Sequence, residues 1–279
     1  MQVQTKVRSR HGYRSMVSTG RAETWKTTSA QYVTEQAAYQ PEKTRRYLLP
    51  IIEALGVRTV VDVGCGIGAM VDTLCRAGYD AYGVDLIDTE PLWARAGRTR
   101  DRFIIIDPER FQMPFPDLSV DFIFSFGVIE HVGTSNGHSA RRSDYHAVRR
   151  QWVRELFRTA RIEGHLLLGG PNRNFPVDAA HGPDARASIL ERLLFARTGL
   201  SIHRVWGDHF LWSYGDLRWY LDGLPCCIEP LSVKGLLEFS RAPRPLRGLA
   251  RAWVHNLPKP LLGTGLNPWM MALVRKTGA

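Results

Sequence analysis

Cysteine is scarce and poorly placed for structural chemistry: the four residues, at 65, 75, 226 and 227, form no C-x-x-C pair and no regular framework. A disulfide-stapled scaffold and a zinc ribbon are therefore excluded as the basis of the fold, and a reducing compartment, the cytoplasm, is the expected setting. Long apolar runs are absent too. None reaches the ~18 residues of a membrane span, so the chain is expected to be soluble or attached to a membrane only at its surface. Residues 1–29 lack the apolar stretch of a secretory signal and are expected to form a basic, disordered tail. The nine histidines show no ligand-type spacing, so no metal site is expected.

Positive charge is in excess. Lys and Arg number 37 against 27 Asp and Glu, for a formal net charge of +10. Such a balance favours anionic partners such as nucleic acid, phosphorylated substrates or an acidic membrane surface. The basic residues are spread along the chain, and no nucleic-acid module or aromatic platform is recognisable, so nucleic acid is not the expected partner. A hydrophobic fraction of 44% is that of a globular protein.

One stretch organises the rest. Thr59-Val60-Val61-Asp62-Val63 reads as a strand, Gly64-Cys65-Gly66-Ile67-Gly68 as a turn, and Ala69 onward as a helix. Alternate glycines imply a backbone that takes positive φ or lies close against another group. The unpaired amides that open the helix would face an anionic group of a ligand. The spacing is G-x-G-x-G and departs from the G-x-G-x-x-G of dinucleotide sites, which counts against a nicotinamide dehydrogenase.

The chain then repeats a strand and helix rhythm. Further strands are predicted at Tyr79 to Leu86, Phe103 to Ile106, Val120 to Phe126 and His165 to Leu168, with helices at Ala69 to Ala77, about Glu90 to Ala96 and Tyr145 to Arg161. Upstream, Pro41 is expected to open a helix that ends at Gly56. This alternation predicts an α/β fold with a doubly wound, Rossmann-like parallel sheet. Ligands of such sheets lie beyond the carboxyl ends of the strands. Asp85 closes the second strand, followed by Leu86, and a carboxylate there can accept from both hydroxyls of a ribose. Asp107 closes the third and could receive an adenine amine.

Val61-Asp62-Val63-Gly64-Cys65-Gly66-Ile67-Gly68, the acidic end of the second strand, Pro114-Phe115-Pro116-Asp117 with Asp121, and Val128-Ile129-Glu130-His131-Val132 occur in order. Together they resemble the class I S-adenosylmethionine-dependent methyltransferases, and the branch acting on small molecules, lipids and sugars. The resemblance covers roughly 42–174. It implies a seven-stranded sheet with the last strand antiparallel, and S-adenosyl-L-methionine as cofactor. It places Asp62, Gly64, Cys65, Gly66 and Gly68 against the methionine part, Asp85 and Leu86 at the ribose, and Asp107 near the adenine. The polar insertion Gly133 to His146 reads either as a lid or as a solvated loop.

Methyl transfer from a sulfonium is an in-line displacement in which positioning dominates. A hydroxyl acceptor benefits from a base, and His131 and His181 are the candidates, with His131 also read as shaping the cofactor pocket. Asn172, Arg173 and His209 are candidate substrate contacts, Arg173 as a clamp for a carboxylate or phosphate. The expected organisation is a core at 30–174 and a cap with the last two strands at 175–279. In the cap, helix is predicted at Ile189 to Phe195, and strands at Cys227 to Val233 and Trp269 to Lys276. Between those strands, residues 236–262 interleave Arg and Lys with Leu and Trp, the pattern of a basic amphipathic segment that lies on a membrane surface or packs as a cap helix. The expected activity is O-methylation of a small molecule, sugar or glycolipid. A non-catalytic nucleic-acid- or membrane-associated protein with the same fold is the alternative.

Overall fold

The computed structural model describes residues 33–34, 36–85, 101–106, 111–134, 142–178, 183, 187–202, 211–237 and 244–279. The predicted tail at 1–29 and the helix near 90–96 lie outside them.

Helical backbone from 36 runs without a break into a π-helix at Thr44–Leu48 and then α1 at Leu49–Leu55. Pro41 does not open a new helix, as the sequence suggested. The irregularity comes later and has a cause: Pro50 has no N–H to offer the Arg46 carbonyl, and the preceding turn widens so that the Leu49 amide reaches back to Thr44. Gly56, at φ 62°, ends α1 as expected.

From there the strands and helices alternate: β1 (Thr59–Val63), α2 (Ala69–Arg76), β2 (Asp80–Asp85), β3 (Phe103–Ile105), β4 (Val120–Phe126), α3 (Tyr145–Thr159) and β5 (Ala160–Pro171). A short ribbon, β6 (Val177–Asp178) with β7 (Ser201–Ile202), brackets α4 (Ile189–Thr198). The chain finishes with α5 (Tyr214–Tyr220), β8 (Cys226–Pro230), α6 (Arg244–His255) and β9 (Trp269–Lys276). The main sheet has seven strands in the order β3-β2-β1-β4-β5-β9-β8, with β9 antiparallel to both neighbours and the rest parallel. This is the doubly wound, Rossmann-like sheet that the alternation predicted.

Period-two alternation within the strands splits the core into two layers. Val61, Val63, Ile123, Leu166 and Leu168 face Trp152, Val153, Leu156 and Leu217 of α3 and α5. Val60, Phe122, Phe124 and Leu167 face Leu48, Ile52, Val71 and Leu74 on the other side. Both faces are covered, which is why the strands read as nearly continuous apolar runs.

Strand β5 is longer than predicted. Glu163-Gly164, just ahead of the predicted strand, is a bulge inside it: the pairing jumps from Val120 with Ala160 to Phe122 with His165, and Glu163 takes φ 62°. Strand β8 stops at Pro230 and does not reach Val233. The Pro-Phe-Pro-Asp turn is held from α3, where Arg158 pairs with Glu155 and Asp117 and donates to the carbonyls of Met113 and Phe115. Asp121 accepts the amides of Arg58 and Thr59 at 2.8 and 2.9 Å and pairs with Arg161 at 2.8 Å. It thereby fixes where β1 starts beside β4.

Candidate active site

The carboxyl ends of β1, β2, β4 and β5 lie along one edge of the sheet. There the loop Gly64–Gly68 leaves β1 with all three glycines at positive φ, 83°, 54° and 78°. Two of them are also confined by space. A Cβ on Gly64 would lie 2.2 Å from Val128 Cγ2, and one on Gly68 would lie 2.3 Å from the Phe103 ring.

The amides of this loop are committed within the chain. Gly64 and Cys65 donate to the Val84 carbonyl at 2.7 and 3.2 Å, Gly66 to Asp85 Oδ2 at 2.7 Å, Gly68 to the Cys65 carbonyl at 2.9 Å. Ile67 donates to Gln36 Oε1 at 3.5 Å, from the helix that precedes the π turn. A phosphate nest needs such amides available. Here they are spent on shaping the loop, and the site is not built for a pyrophosphate.

What lies beside the loop instead is a pair of buried carboxyl groups. Asp62 is 5% exposed and Asp85 8%. Burial first, and then the neighbouring Asp85, push the Asp62 carboxyl well above its usual range. Two acidic groups in one desolvated pocket are relieved by a cationic ligand and aggravated by an anionic one. A group carrying a sulfonium and an ammonium fits this donor set, and a dinucleotide phosphate does not.

Cys65 does not face that pocket. Its thiol is 1% exposed and packs toward Gly83, whose Cβ, if present, would lie 2.7 Å from Sγ. Burial raises its pKa well above the usual value, with Asp62 and Asp85 adding to it. Cys65 contributes backbone to the site and a small apolar side chain to the core.

After β4 the chain turns sharply at Gly127, with φ 69°, and the turn carries His131. The His131 amide donates to Val128 O at 2.8 Å, and Thr134 Oγ1 donates to His131 O at 2.7 Å. Beneath the turn lies Arg149 of α3, 1% exposed, donating Nε to Val132 O at 3.0 Å and Nη1 to Leu211 O at 3.2 Å. Burial drives its pKa down to about 10, against the stabilising pull of Tyr220, Glu130 and Asp216. This buried cation ties the turn to the segment that leads into α5.

Two of the substrate-side candidates, Asn172 and Arg173, lie among the described residues and make contacts within the chain. Asn172 is 2% exposed, and Nδ2 donates to the carbonyls of Thr264 and Asn267, both at 2.9 Å, while Oδ1 accepts the Asn174 amide at 3.0 Å. Its amide anchors the loop that enters β9. Arg173 pairs with Asp216 at 3.2 Å, and Asp216 in turn caps α5 through Ser213. The carboxylate that Arg173 clamps is thus internal. Leu86, Asp107, His181 and His209 lie outside the described residues, as does 135–141 of the Gly133 to His146 insertion.

Sequence reasoning missed Gln36, Phe103 and Arg149. Gly83, a glycine inside a strand, was a usable signal, because it marks the close approach of Phe103 and Cys65. Nothing local in the sequence points to Gln36. No cluster of three or more metal-ligating side chains occurs among the described residues.

The family model described as "Methyltransferase domain" matches residues 61–168, from β1 to β5. A probable S-adenosylmethionine-dependent methyltransferase of Mycobacterium tuberculosis is 27% identical over 144 residues, 49% of this chain and 47% of that protein. A probable S-adenosylmethionine-dependent methyltransferase of Mycolicibacterium smegmatis is 28% identical over 147 residues, 49% of this chain and 50% of that protein. The chain thus spans about half the length of the curated relatives it matches. Among solved structures, the plantazolicin methyltransferase in complex with a triazolic desmethyl analogue and S-adenosylhomocysteine superposes with a TM-score of 0.50 at 13% identity, covering 92% of this chain and 93% of that one. That likeness concerns the fold alone. Sheet order, strand directions and this neighbour give the chain the class I methyltransferase fold.

Proposed function

We propose that the protein is an S-adenosylmethionine-dependent methyltransferase, directed to an oxygen of a small molecule, sugar or glycolipid. The observation that carries the reading is the pair of buried carboxylates, Asp62 and Asp85, beside a glycine loop whose own amides are internally satisfied. The match of residues 61–168 to a methyltransferase domain and the similarity to probable S-adenosylmethionine-dependent methyltransferases support it.

On this reading the bound cofactor supplies an electrophilic methyl group on a positively charged sulfur. Asp62 and the loop Gly64 to Gly68 would hold the methionine part, whose ammonium would relieve the repulsion between the two acids. The amides opening α2 would receive its carboxylate. Asp85, fixed at the end of β2 by the Gly66 amide, would accept from the ribose. The chain's main contribution is to hold acceptor and methyl in line, an effect on the order of 7–11 kcal/mol. On this reading His131, in the turn after β4, is the base that takes the proton of a hydroxyl acceptor, and its neutral form is the competent one.

Titration with S-adenosylhomocysteine in a calorimeter tests the reading. Saturable binding, with nicotinamide cofactors giving no heat, is the expected result. Binding of a nicotinamide cofactor without S-adenosylhomocysteine binding overturns it.

A further inference from the structure

Two glycines hollow out the edge of the sheet next to the glycine loop. Gly127 follows β4, and Gly170 is the last residue but one of β5. A Cβ on Gly170 would lie 2.6 Å from Trp212 Nε1 and 3.2 Å from Glu130 Oε2. One on Gly127 would lie 3.4 Å from Glu130 Oε1 and 3.8 Å from the ring of Trp269. The Glu130 carboxylate therefore spans the gap between the two glycines, with an indole at each end.

Trp212 is 0% exposed, and its Nε1 has no hydrogen-bond partner among the described residues. A buried N–H without an acceptor costs free energy, and such groups are rare in folded chains. The backbone around it is pinned. The Trp212 carbonyl accepts the Arg173 amide at 3.0 Å, and the Leu211 carbonyl accepts from Arg149 Nη1 at 3.2 Å. Nε1 is the indole atom nearest to Gly170, so the N–H corner of the ring points at the space that a side chain there would fill.

Charge decides which group suits that space. Glu130 is 5% exposed, and the buried guanidinium of Arg149 lies in its field, so its charge is offset within the chain. A carboxylate or phosphate would satisfy the indole but would meet the Glu130 carboxylate at close range. A hydroxyl accepts and donates through one oxygen. It can accept from Trp212 Nε1 and donate to Glu130 without bringing any charge.

We propose that Trp212 and Glu130 form a subsite for an uncharged hydroxyl of the methyl acceptor, seated over Gly170 and entered past Gly127 and Trp269. The entrance is open on that side: Gly127, Val128, His131 and Trp269 are all partly exposed. Val128, next to Gly127, packs on the glycine loop, where a Cβ on Gly64 would meet it at 2.2 Å. One turn of chain thus separates this subsite from the loop that shapes the cofactor site. The two residues select an alcohol or sugar over a carboxylate or phosphate. That the hydroxyl belongs to a methyl acceptor rests on the methyltransferase reading above. The subsite itself does not.

Nuclear magnetic resonance of the full chain carrying isotope-labelled tryptophan tests it, with glycerol as the hydroxyl probe and inorganic phosphate as the anionic one. The chain has eight tryptophans, and Trp212→Phe identifies the indole N–H signal of Trp212 by its loss. With or without S-adenosylhomocysteine, glycerol is expected to shift that signal saturably and phosphate to leave it in place. The signal of exposed Trp219 serves as the reference for bulk solvent. Glu130→Gln should weaken the glycerol response by about fivefold, because a neutral acceptor replaces a charged one. S-adenosylhomocysteine titration of that variant, unchanged from the parent, shows that its fold is intact, and the parent spectra decide the proposal even where it is not. A Trp212 signal that glycerol does not move overturns the proposal, because the space then holds water alone. So does a signal that phosphate moves as far as glycerol does, or an equal glycerol response in folded Glu130→Gln. A glycerol response without S-adenosylhomocysteine binding leaves the subsite standing and removes the methyltransferase reading, and S-adenosylhomocysteine binding without a glycerol response does the reverse.

Discussion

Asp85 Oδ2 accepts the Gly66 amide at 2.7 Å, so the acidic end of β2 is locked to the middle of the loop that leaves β1. One residue thereby shapes the cradle and supplies the charge at its rim. Asp85→Ala removes both, and the affinity for S-adenosylhomocysteine should fall by about 2 kcal/mol, or roughly 30-fold, the scale of a lost charged hydrogen bond. Calorimetry on the folded variant measures this. An unchanged dissociation constant would remove Asp85 from the cofactor site.

The loop glycines separate two costs that are often merged. Gly56 has φ 62° with nothing within 4 Å of a built Cβ, so Gly56→Ala should cost only the backbone preference, about 1 kcal/mol. Gly64 has φ 83° and also meets Val128 at 2.2 Å, so Gly64→Ala should cost about 3 kcal/mol. Denaturant melts of the two variants, run side by side, should rank them in that order. Equal losses would mean that Val128 moves aside freely.

Arg149 is a cation buried to 1% exposure in the middle of α3. Its guanidinium donates to Val132 O and Leu211 O, joining the His131 turn to the strand of chain entering α5. Arg149→Leu keeps the apolar bulk and strands two carbonyls, for an expected loss of about 3 kcal/mol. Urea denaturation reads the loss directly. A neutral effect would show that water replaces the guanidinium without penalty.

Much of the frame was legible because its causes are local. β4 and β9 were predicted with the observed bounds, since β-branched and aromatic runs ended at Gly127 and began after Pro268. The acidic closing residue of β2 and the alternate glycines were likewise visible as spacing. What escaped was set by tertiary contact. The bulge at Glu163 depends on pairing with Val120 and Phe122, and the π turn depends on Pro50 being one helical turn past Arg46. Asn172 and Arg173 illustrate the limit most sharply. Polar side chains after a parallel strand look like ligand contacts, yet their partners, Thr264, Asn267 and Asp216, lie far along the chain.

His165 offers a pH test that involves no ligand. It sits in β5 opposite Arg275, and its Nδ1 is buried without a hydrogen-bond partner. Burial lowers its pKa, and the nearby Arg275 lowers it further. A histidine depressed in the folded state binds its proton more readily when unfolded, so the unfolded form gains protons first as pH falls. The stability it permits is complete above the unfolded value of about 6.5 and declines below it. His165→Gln should therefore lose less melting temperature than the parent between pH 7 and pH 5. Parallel thermal scans at the two pH values check this, and identical slopes would show that the imidazole does not feel its surroundings.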